Sequence, residues 1–190
     1  MAEMDTKKAM FAVGSNLTSN KGSPEKTVLW AVEQIAALGG SSPIVSHLYQ
    51  TPAFPAGAGP DFVNAAIAID TALDATALLA AAHRIEAEAK RVRHMRWGQR
   101  TLDVDLIALA QDVCPDKAAL QSWIAMPLEE QLRTTPSELL LPHPRMHERA
   151  FVLIPLADVA GDWSHPILGR TVAQMLADLP DAAKQEVVKL

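Results

Sequence analysis

A short run of alternating apolar and acidic residues constrains the fold of this chain more than any other feature. Leu102, Val104 and Leu106 are apolar at a period of two, so they lie on one face of a predicted β-strand. Asp103 and Asp105 then share the opposite face, about 7 Å apart along the strand. The apolar face must pack against a core, which leaves both carboxylates on a polar face.

Two carboxylates at this separation, with no basic residue between them, suit one or two hard divalent cations such as Mg²⁺. The D-x-D pattern is also short and common, so a solvated edge strand with aspartates that merely face water is the alternative. Five basic residues lie just before this strand: Lys90, Arg91, Arg93, Arg96 and Arg100. In a chain of net charge −5 this cluster is a local charge inversion. It favours a polyphosphate site, where cations neutralise phosphate oxygens and carboxylates hold metal ions.

Length and composition predict one packed domain over residues 1–190. Apolar residues make up 49% of the chain, enough for a core of this size. We expect residues 1–8 to be a flexible tail and residues 111–137 to be an irregular insertion with one short helix near 128–132. No signal-like or membrane-spanning run occurs, and Cys114 is the only cysteine, so we expect a cytoplasmic protein. The net negative charge argues against broad nucleic-acid binding.

The pattern of apolar residues predicts an α+β fold with a ferredoxin-like βαββαβ core. Strands are expected over residues 10–13, 44–49, 62–69 and 101–109. One helix begins at Ser23-Pro24 and a second at Asp74, because serine and aspartate cap helix N-termini and proline suits the first turn. Helical and short-strand additions follow: a strand at 139–141, a helix over 148–159 interrupted by Pro155, and a helix over 171–179.

Two further features have ordinary alternatives. Glu86 lies four residues before Lys90 on the second helix, a spacing at which a surface ion pair is the commoner role. Gly14-Ser15-Asn16 follows the first strand, and it could be only a tight turn. The sequence has no G-x-x-x-x-G-K-[ST] pattern, which excludes ordinary Walker-type ATP binding.

The chain resembles the 6-hydroxymethyl-7,8-dihydropterin pyrophosphokinase family of folate-pathway enzymes over about residues 11–179. The resemblance rests on seven sequence blocks in order: GSNL (14–17), YQTP (49–52), DFVNA (61–65), RIE (84–86), RVR (91–93), RWGQRTLDVD (96–105) and LPHPRMHERAF (141–151). Any one block is weak, whereas seven in order are specific.

The resemblance implies transfer of the pyrophosphoryl group of ATP to the hydroxymethyl oxygen of the pterin, with release of AMP. It implies two Mg²⁺ ions held by Asp103 and Asp105. The implied catalytic residues are Arg91, Arg93, Arg100, Asp103 and Asp105. The implied ATP contacts are Glu86, Arg91, Arg93, Trp97, Arg100, Thr101, His143 and Arg149. The implied pterin contacts are Thr51, Pro52, Phe54, Phe62, Asn64, Trp97 and Phe151.

The residues themselves agree with this resemblance. Phe62 and Asn64 share a strand face, and a flat heterocycle binds well to an aromatic ring beside an amide that both donates and accepts. We expect a monomer whose partners are ATP and the reduced pterin, with no nucleic acid or membrane. Two alternatives remain at this point: a Mg-dependent nucleotidyltransferase using the D-x-D strand, which would release pyrophosphate, and a non-catalytic binding module.

Overall fold

A computed structural model describes residues 6–53, 59–89 and 101–190, which form an antiparallel sheet with helices on both faces. The strands are β1 (Lys7–Ser15), β2 (Ile44–Val45), β3 (Tyr49–Thr51), β4 (Phe62–Thr71), β5 (Asp103–Leu109) and β6 (Val188–Lys189). The helices are α1 (Pro24–Ala36), α2 (Ala75–Glu88), α3 (Lys117–Ala125), α4 (Leu128–Arg133), α5 (Ala150–Ala160), α6 (Val172–Asp178) and α7 (Asp181–Gln185), with a 3-10 turn at Met146–Glu148.

The strands are ordered β5-β1-β4-β3-β6, and β2 pairs with β4 beside this path. All the pairings are antiparallel, so β1 lies between β5 and β4, which both run opposite to it. The last residues of β1 therefore meet the first residues of β4 and β5. This edge of the sheet brings together segments that are far apart in sequence.

Each face of the sheet packs against a separate apolar cluster. Phe11 and Val104 lie in the cluster under α1 and α2, whereas Met10 lies in the cluster under α5 and α6. The alternation along each strand produces this division, since successive side chains point to opposite faces. The result is a mixed fold of helices and antiparallel sheet, as the sequence predicts.

The α5 layer covers only part of its face of the sheet. On β4, Ala66 and Ala68 belong to its apolar cluster, and β5 contributes Ile107 and Ala108. The first residues of β4 and β5 lie outside that cluster. They carry the four side chains that define what we call the polar end of the sheet: Phe62, Asn64, Asp103 and Asp105.

The predicted helix starts are confirmed. The Ser23 hydroxyl accepts the N–H of Lys26 at the start of α1, and the Asp74 carboxylate accepts the N–H of Ala77 at the start of α2. These caps satisfy N–H groups that have no partner within a helix. Among the described residues, every helix is too short or too polar to cross a lipid bilayer.

The strand predicted over 44–49 is instead two strands, β2 and β3. Between them the backbone N–H and the ring Nδ1 of His47 both bind Asp158 on α5, at 3.2 and 3.0 Å. Tyr49 also donates to Asp158, at 2.8 Å. Ser46 still donates its backbone N–H to Ala66 on β4, so the strand is interrupted only around His47, where the contacts are to a helix. Residue alternation alone does not indicate this break.

The insertion over 111–137 is more ordered than predicted. It contains α3 as well as α4, and Asp116 caps α3 by accepting the N–H of Ala119. The buried Gln131 side chain donates to the carbonyls of Trp123 and Met126, which ties the two helices together. A polar side chain thus supplies order that the apolar pattern does not reveal.

Three smaller expectations also need correction, and two short elements were missed. Lys7 and Lys8, predicted in the tail, belong to β1 and pair with β4. The segment at 139–141 makes one isolated bridge, between Leu141 and Cys114, rather than a strand. Pro155 lies inside α5 without ending it, because the helix is held by burial of its apolar residues. The short elements α7 and β6 were not predicted.

Candidate functional site

Three residues on adjacent strands form a row across the polar end of the sheet. Gly14 on β1 pairs with Asn64 on β4 and with Asp103 on β5. Directly paired residues point to the same face, so Asn64 and Asp103 share a surface with only glycine between them. Two strand spacings separate them by about 10 Å. In the next row Ala12 lies between Ala66 and Asp105, so the floor between the polar groups consists of small residues.

The Asn64 side chain is fixed by its neighbours. Its Nδ2 donates to Thr51 Oγ1 at 2.8 Å, and both residues are buried. A Cβ atom on Gly14 would lie 2.8 Å from Asn64 Oδ1, closer than real contacts allow. Glycine at position 14 therefore makes the space that the amide occupies. Phe62 on β4 is half-buried and pairs with Thr51 on β3. Pro52, which follows Thr51, is exposed.

Asp103 and Asp105 are half-buried on the same face of β5, opposite the buried Leu102 and Val104. The strand-face prediction is thus confirmed. Within residues 6–53, 59–89 and 101–190, no three His, Cys, Asp or Glu side chains cluster as a metal centre. Mg²⁺ typically binds through one or two carboxylates together with water and substrate phosphates. The carboxylate pair fits a metal ion that arrives with a polyphosphate.

Glu86 is buried, although its spacing from Lys90 made a surface ion pair the commoner expectation. Its carboxylate accepts the backbone N–H of Val104 at 3.0 Å, and Val104 lies between the two aspartates. Because β5 is an edge strand, this N–H would otherwise lack a strand partner. Glu86 therefore fixes the segment that carries the carboxylates.

His143 is held beside β5 in one tautomer. Its backbone N–H donates to the carbonyl of Ile107 at 2.8 Å, and its ring Nδ1 accepts the backbone N–H of Arg145 at 3.2 Å. Burial, followed by the charge of Arg149, lowers the pKa of His143 to about 3, although Asp103 acts in the opposite direction. The neutral ring therefore carries its proton on Nε2, from which it can donate a hydrogen bond.

Arg149 brings a cation close to the two carboxylates. Burial lowers the pKa of Arg149 below its ordinary value, and the negative charges of Asp105 and Asp103 oppose this effect. An arginine stays protonated under these conditions. Its guanidinium carbon lies 5.7 Å from the ring centroid of Phe151, which is 42% exposed. This arrangement places a positive charge and an open aromatic face at the start of α5.

Thr101 lies two residues before Asp103 and is half-buried. Its hydroxyl oxygen is buried and has no hydrogen-bond partner among the residues that the structure describes. A buried hydroxyl without a partner costs free energy, so such groups in native proteins need an explanation. A ligand that hydrogen-bonds to this hydroxyl would provide one.

The structure brings together eleven of the residues predicted from the sequence near the polar end of the sheet or at the start of α5. They are Thr51, Pro52, Phe62, Asn64, Glu86, Thr101, Asp103, Asp105, His143 and Arg149, with Phe151 beside Arg149. Phe54, Arg91, Arg93, Trp97 and Arg100 lie outside the described residues. The sequence did not identify the role of Gly14 as space for Asn64, although its GSNL block contains that glycine.

Comparisons with known proteins agree with the geometry. A family model described as 7,8-dihydro-6-hydroxymethylpterin-pyrophosphokinase (HPPK) matches residues 10–161. A Methylorubrum extorquens protein named 2-amino-4-hydroxy-6-hydroxymethyldihydropteridine pyrophosphokinase is 35% identical over 181 residues, which cover 95% of this chain and 98% of the relative. A Pseudomonas aeruginosa protein of the same name is 36% identical over 170 residues, which cover 89% and 90%.

Solved structures show the same fold. The wild-type HPPK-DHPS of Plasmodium falciparum superimposes with a TM-score of 0.60 at 13% identity. The match covers 91% of this chain and 44% of the solved chain, so this chain spans less than half of that protein. At this identity the likeness concerns the fold alone.

Proposed function

The chain belongs to the 7,8-dihydro-6-hydroxymethylpterin-pyrophosphokinase family, and we propose that its reaction takes place at the polar end of the sheet, between Asn64 and Asp103. The protein is an ATP-dependent diphosphotransferase of folate biosynthesis. It transfers the pyrophosphoryl group of ATP to the hydroxymethyl group of the dihydropterin. This membership replaces the nucleotidyltransferase and binding-module alternatives.

The β4 side of the row is the proposed pterin site. Among the described residues, Asn64 uses one N–H on Thr51, which leaves its Oδ1 and second N–H for a ligand. A pterin edge carries adjacent donors and acceptors that match such an amide, and Phe62 on the same strand face offers a ring for stacking. Pro52 and Phe151 complete the described part of this proposal. Phe54 and Trp97, outside the described residues, remain expected contacts.

The β5 side of the row is the proposed nucleotide site. Arg149 supplies a cation beside the carboxylates, and His143 presents an N–H donor. The hydroxyl of Thr101, which has no hydrogen-bond partner in the described part of the chain, supports a ligand contact at that residue. Glu86 belongs to the proposed nucleotide site because its carboxylate accepts the backbone N–H of Val104. A direct contact between Glu86 and the nucleotide remains an expectation. Arg91, Arg93, Trp97 and Arg100 remain expected contacts from the resemblance.

Asp103 and Asp105 are the proposed Mg²⁺ ligands, with two ions expected. When bound, Mg²⁺ supplies neutralisation of charge on the phosphate oxygens. The pair lies on one strand face with Arg149 nearby, so the site combines negative groups for the metal with a positive group for phosphate.

The protein groups act mainly by position and charge. Phosphoryl-type transfer needs little covalent participation from the enzyme when the reactants are aligned and charge is stabilised. Asn64 and Phe62 would orient the pterin so that its hydroxymethyl oxygen points along the row toward β5. Arg149 would stabilise the charge that develops on the transferred group. The small residues Gly14 and Ala12 leave the floor open between the two substrates.

The fold type, the domain organisation and the oligomeric state complete the proposal. The strand order β5-β1-β4-β3, with α1 and α2 on one face, supports a ferredoxin-like arrangement. We also propose that residues 1–190 form one pyrophosphokinase domain, which acts as a cytoplasmic monomer on small molecules and binds no nucleic acid or membrane.

The row Asn64–Gly14–Asp103 carries this proposal, and paired calorimetric titrations test it. Asn64→Ala should lose about 1–3 kcal/mol of pterin binding, because a buried heterocycle loses its hydrogen-bond partner. Its affinity for a non-hydrolysable ATP analogue with Mg²⁺ should change little. Asp103→Ala should show the reverse. Loss of nucleotide binding alone in Asn64→Ala would show that the two sites have been assigned to the wrong strands.

A further inference from the structure

The central strand β1 ends in two adjacent buried side chains that bind the segments on either side of it. Ser15 is 0% exposed and Asn16 is 2% exposed. The Ser15 hydroxyl donates to the carbonyl oxygen of Thr101 at 2.6 Å. The carbonyl oxygen of Leu17 is a second, more distant acceptor for the same hydroxyl, at 3.3 Å. The Asn16 side-chain amide donates to the carbonyl oxygen of Pro60 at 3.0 Å.

The two bonds occupy equivalent places relative to the neighbouring strands. Thr101 lies two residues before Asp103, the first residue of β5, and Pro60 lies two residues before Phe62, the first residue of β4. Each bond thus fixes the backbone just before a strand whose first residues belong to the proposed site. Ladder pairing with β1 ends in this region, at Gly14–Asp103 and Ser15–Val63, so the side chains extend the connection beyond the ladder.

A tight turn alone does not account for these contacts. The partners lie 86 residues from Ser15 and 44 residues from Asn16, so the bonds are tertiary and not local. A turn would require neither complete burial nor side chains that reach backbone carbonyls on other strands. The second and third residues of the GSNL block therefore have a role that a turn does not explain.

The Ser15 bond also bears on a group with no partner of its own. Thr101 has its carbonyl held by Ser15, while its buried hydroxyl lacks a hydrogen-bond partner among the described residues. This bond holds the backbone of Thr101, from which the hydroxyl projects, in a fixed position relative to Asp103. A fixed position before ligand binding reduces the cost of forming the productive arrangement.

We infer that Ser15 and Asn16 are positioning residues for pyrophosphoryl transfer. Ser15 sets the start of β5, and with it Thr101 and Asp103; Asn16 sets the start of β4, and with it Phe62. Both act through the backbone carbonyls that they bind. This inference rests on the site assignment proposed above. It assigns Ser15 to the nucleotide side of the site and Asn16 to the pterin side.

Kinetics of three variants test the inference. Ser15→Ala removes the contact with the Thr101 carbonyl, and Asn16→Ala removes the contact with the Pro60 carbonyl. Thr71→Ala is the matched control, because Thr71 is 2% exposed and its hydroxyl donates to the carbonyl of Leu38 at 2.8 Å, at the opposite end of β4. Formation of AMP from ATP and the dihydropterin gives kcat and both KM values, and thermal unfolding gives Tm.

All three variants should have a lower Tm than the wild type, but only Ser15→Ala and Asn16→Ala should have altered kinetics. In Ser15→Ala we expect kcat to fall by about 10- to 10²-fold, the scale of a small misplacement of reacting groups, with a raised KM for ATP. In Asn16→Ala the KM for the dihydropterin should rise while the KM for ATP changes little. Thr71→Ala should keep wild-type kinetics. Ser15→Cys keeps the branching of serine with a larger and weaker donor atom, and it should show the same kinetic direction as Ser15→Ala if the alanine variant does not fold.

If the Ser15 and Asn16 variants lose Tm but keep kcat and both KM values, like Thr71→Ala, their role is structural and the inference is wrong. Equal effects on both substrates in both variants would overturn the division between nucleotide and pterin. Failure of the site assignment itself gives a different result, namely wild-type activity in Asp103→Ala and wild-type pterin affinity in Asn64→Ala.

Discussion

The Oδ1 atom of Asn64 lies 2.8 Å from the point where a Cβ of residue 14 would stand, so the asparagine side chain occupies space that only a glycine leaves. Asn64 is buried and fixed by Thr51, and it cannot move aside without losing that hydrogen bond. The geometry of the proposed pterin site therefore depends on a residue that has no side chain.

Gly14→Ala should displace the Asn64 amide. We expect a loss of about 1–3 kcal/mol in the free energy of unfolding, as for other overpacked sites, together with weaker pterin binding. The double variant with Asn64→Ala should lose less than the sum of the two single losses, because both changes act on one contact. Calorimetric titration and urea unfolding measure these effects. Gly40→Ala is the control, since its added Cβ would meet nothing within 4 Å. Additive losses would show that the contact is unimportant.

Thr101→Val should separate ligand binding from stability. The valine keeps the shape of threonine and removes a buried hydroxyl that has no partner within residues 6–53, 59–89 and 101–190, so stability should be unchanged or rise by up to about 1 kcal/mol. Nucleotide affinity should fall by roughly 1 kcal/mol, the net value of one hydrogen bond. Thr71→Val should instead lose stability, because its hydroxyl is hydrogen-bonded to Leu38. Unchanged nucleotide affinity in Thr101→Val would remove Thr101 from the site.

His143 should make stability depend on pH. Burial lowers its pKa in the folded protein to about 3, from an ordinary value of 6.5, so the unfolded chain binds the extra proton first. This contribution to stability is present above pH 6.5 and is lost as the pH falls toward about 3. In His143→Asn the dependence of unfolding free energy on pH between these values should be shallower by up to about 1.4 kcal/mol per pH unit. Urea unfolding at several pH values measures the slope. His83→Asn, on the exposed face of α2, is the comparison, and equal slopes in both variants would contradict the prediction.

The sequence predicted the parts of the fold that depend on local pattern. The caps at Ser23 and Asp74 and the two faces of β5 follow from rules about neighbouring residues. The break between β2 and β3 involves Asp158, which lies 111 residues from His47 along the chain. No local pattern contains such a contact.

The candidate site shows the same division. Asp103, Asp105 and Asn64 were identified because strand alternation and sequence blocks mark them. The burial of Glu86 was not predicted, since its spacing from Lys90 also suits a surface ion pair. Only the packed structure brings the Glu86 carboxylate to the backbone of Val104. The functions of Ser15 and Gly14 likewise depend on strand order, which sets their neighbours on β4 and β5.

Product analysis with aspartate variants tests the proposed site most directly. Wild-type protein, Asp103→Ala and Asp105→Ala are incubated with ATP, Mg²⁺ and 6-hydroxymethyl-7,8-dihydropterin, and nucleotides and pterins are separated over time. The exposed Asp162→Ala is the control. We predict AMP and pterin diphosphate in equal amounts from the wild type and the control. Both aspartate variants should stay folded and turn over at least ~10²-fold more slowly, the scale of losing an electrostatic stabiliser. Near-normal AMP formation by both folded variants would contradict a reaction site at the polar end of the sheet.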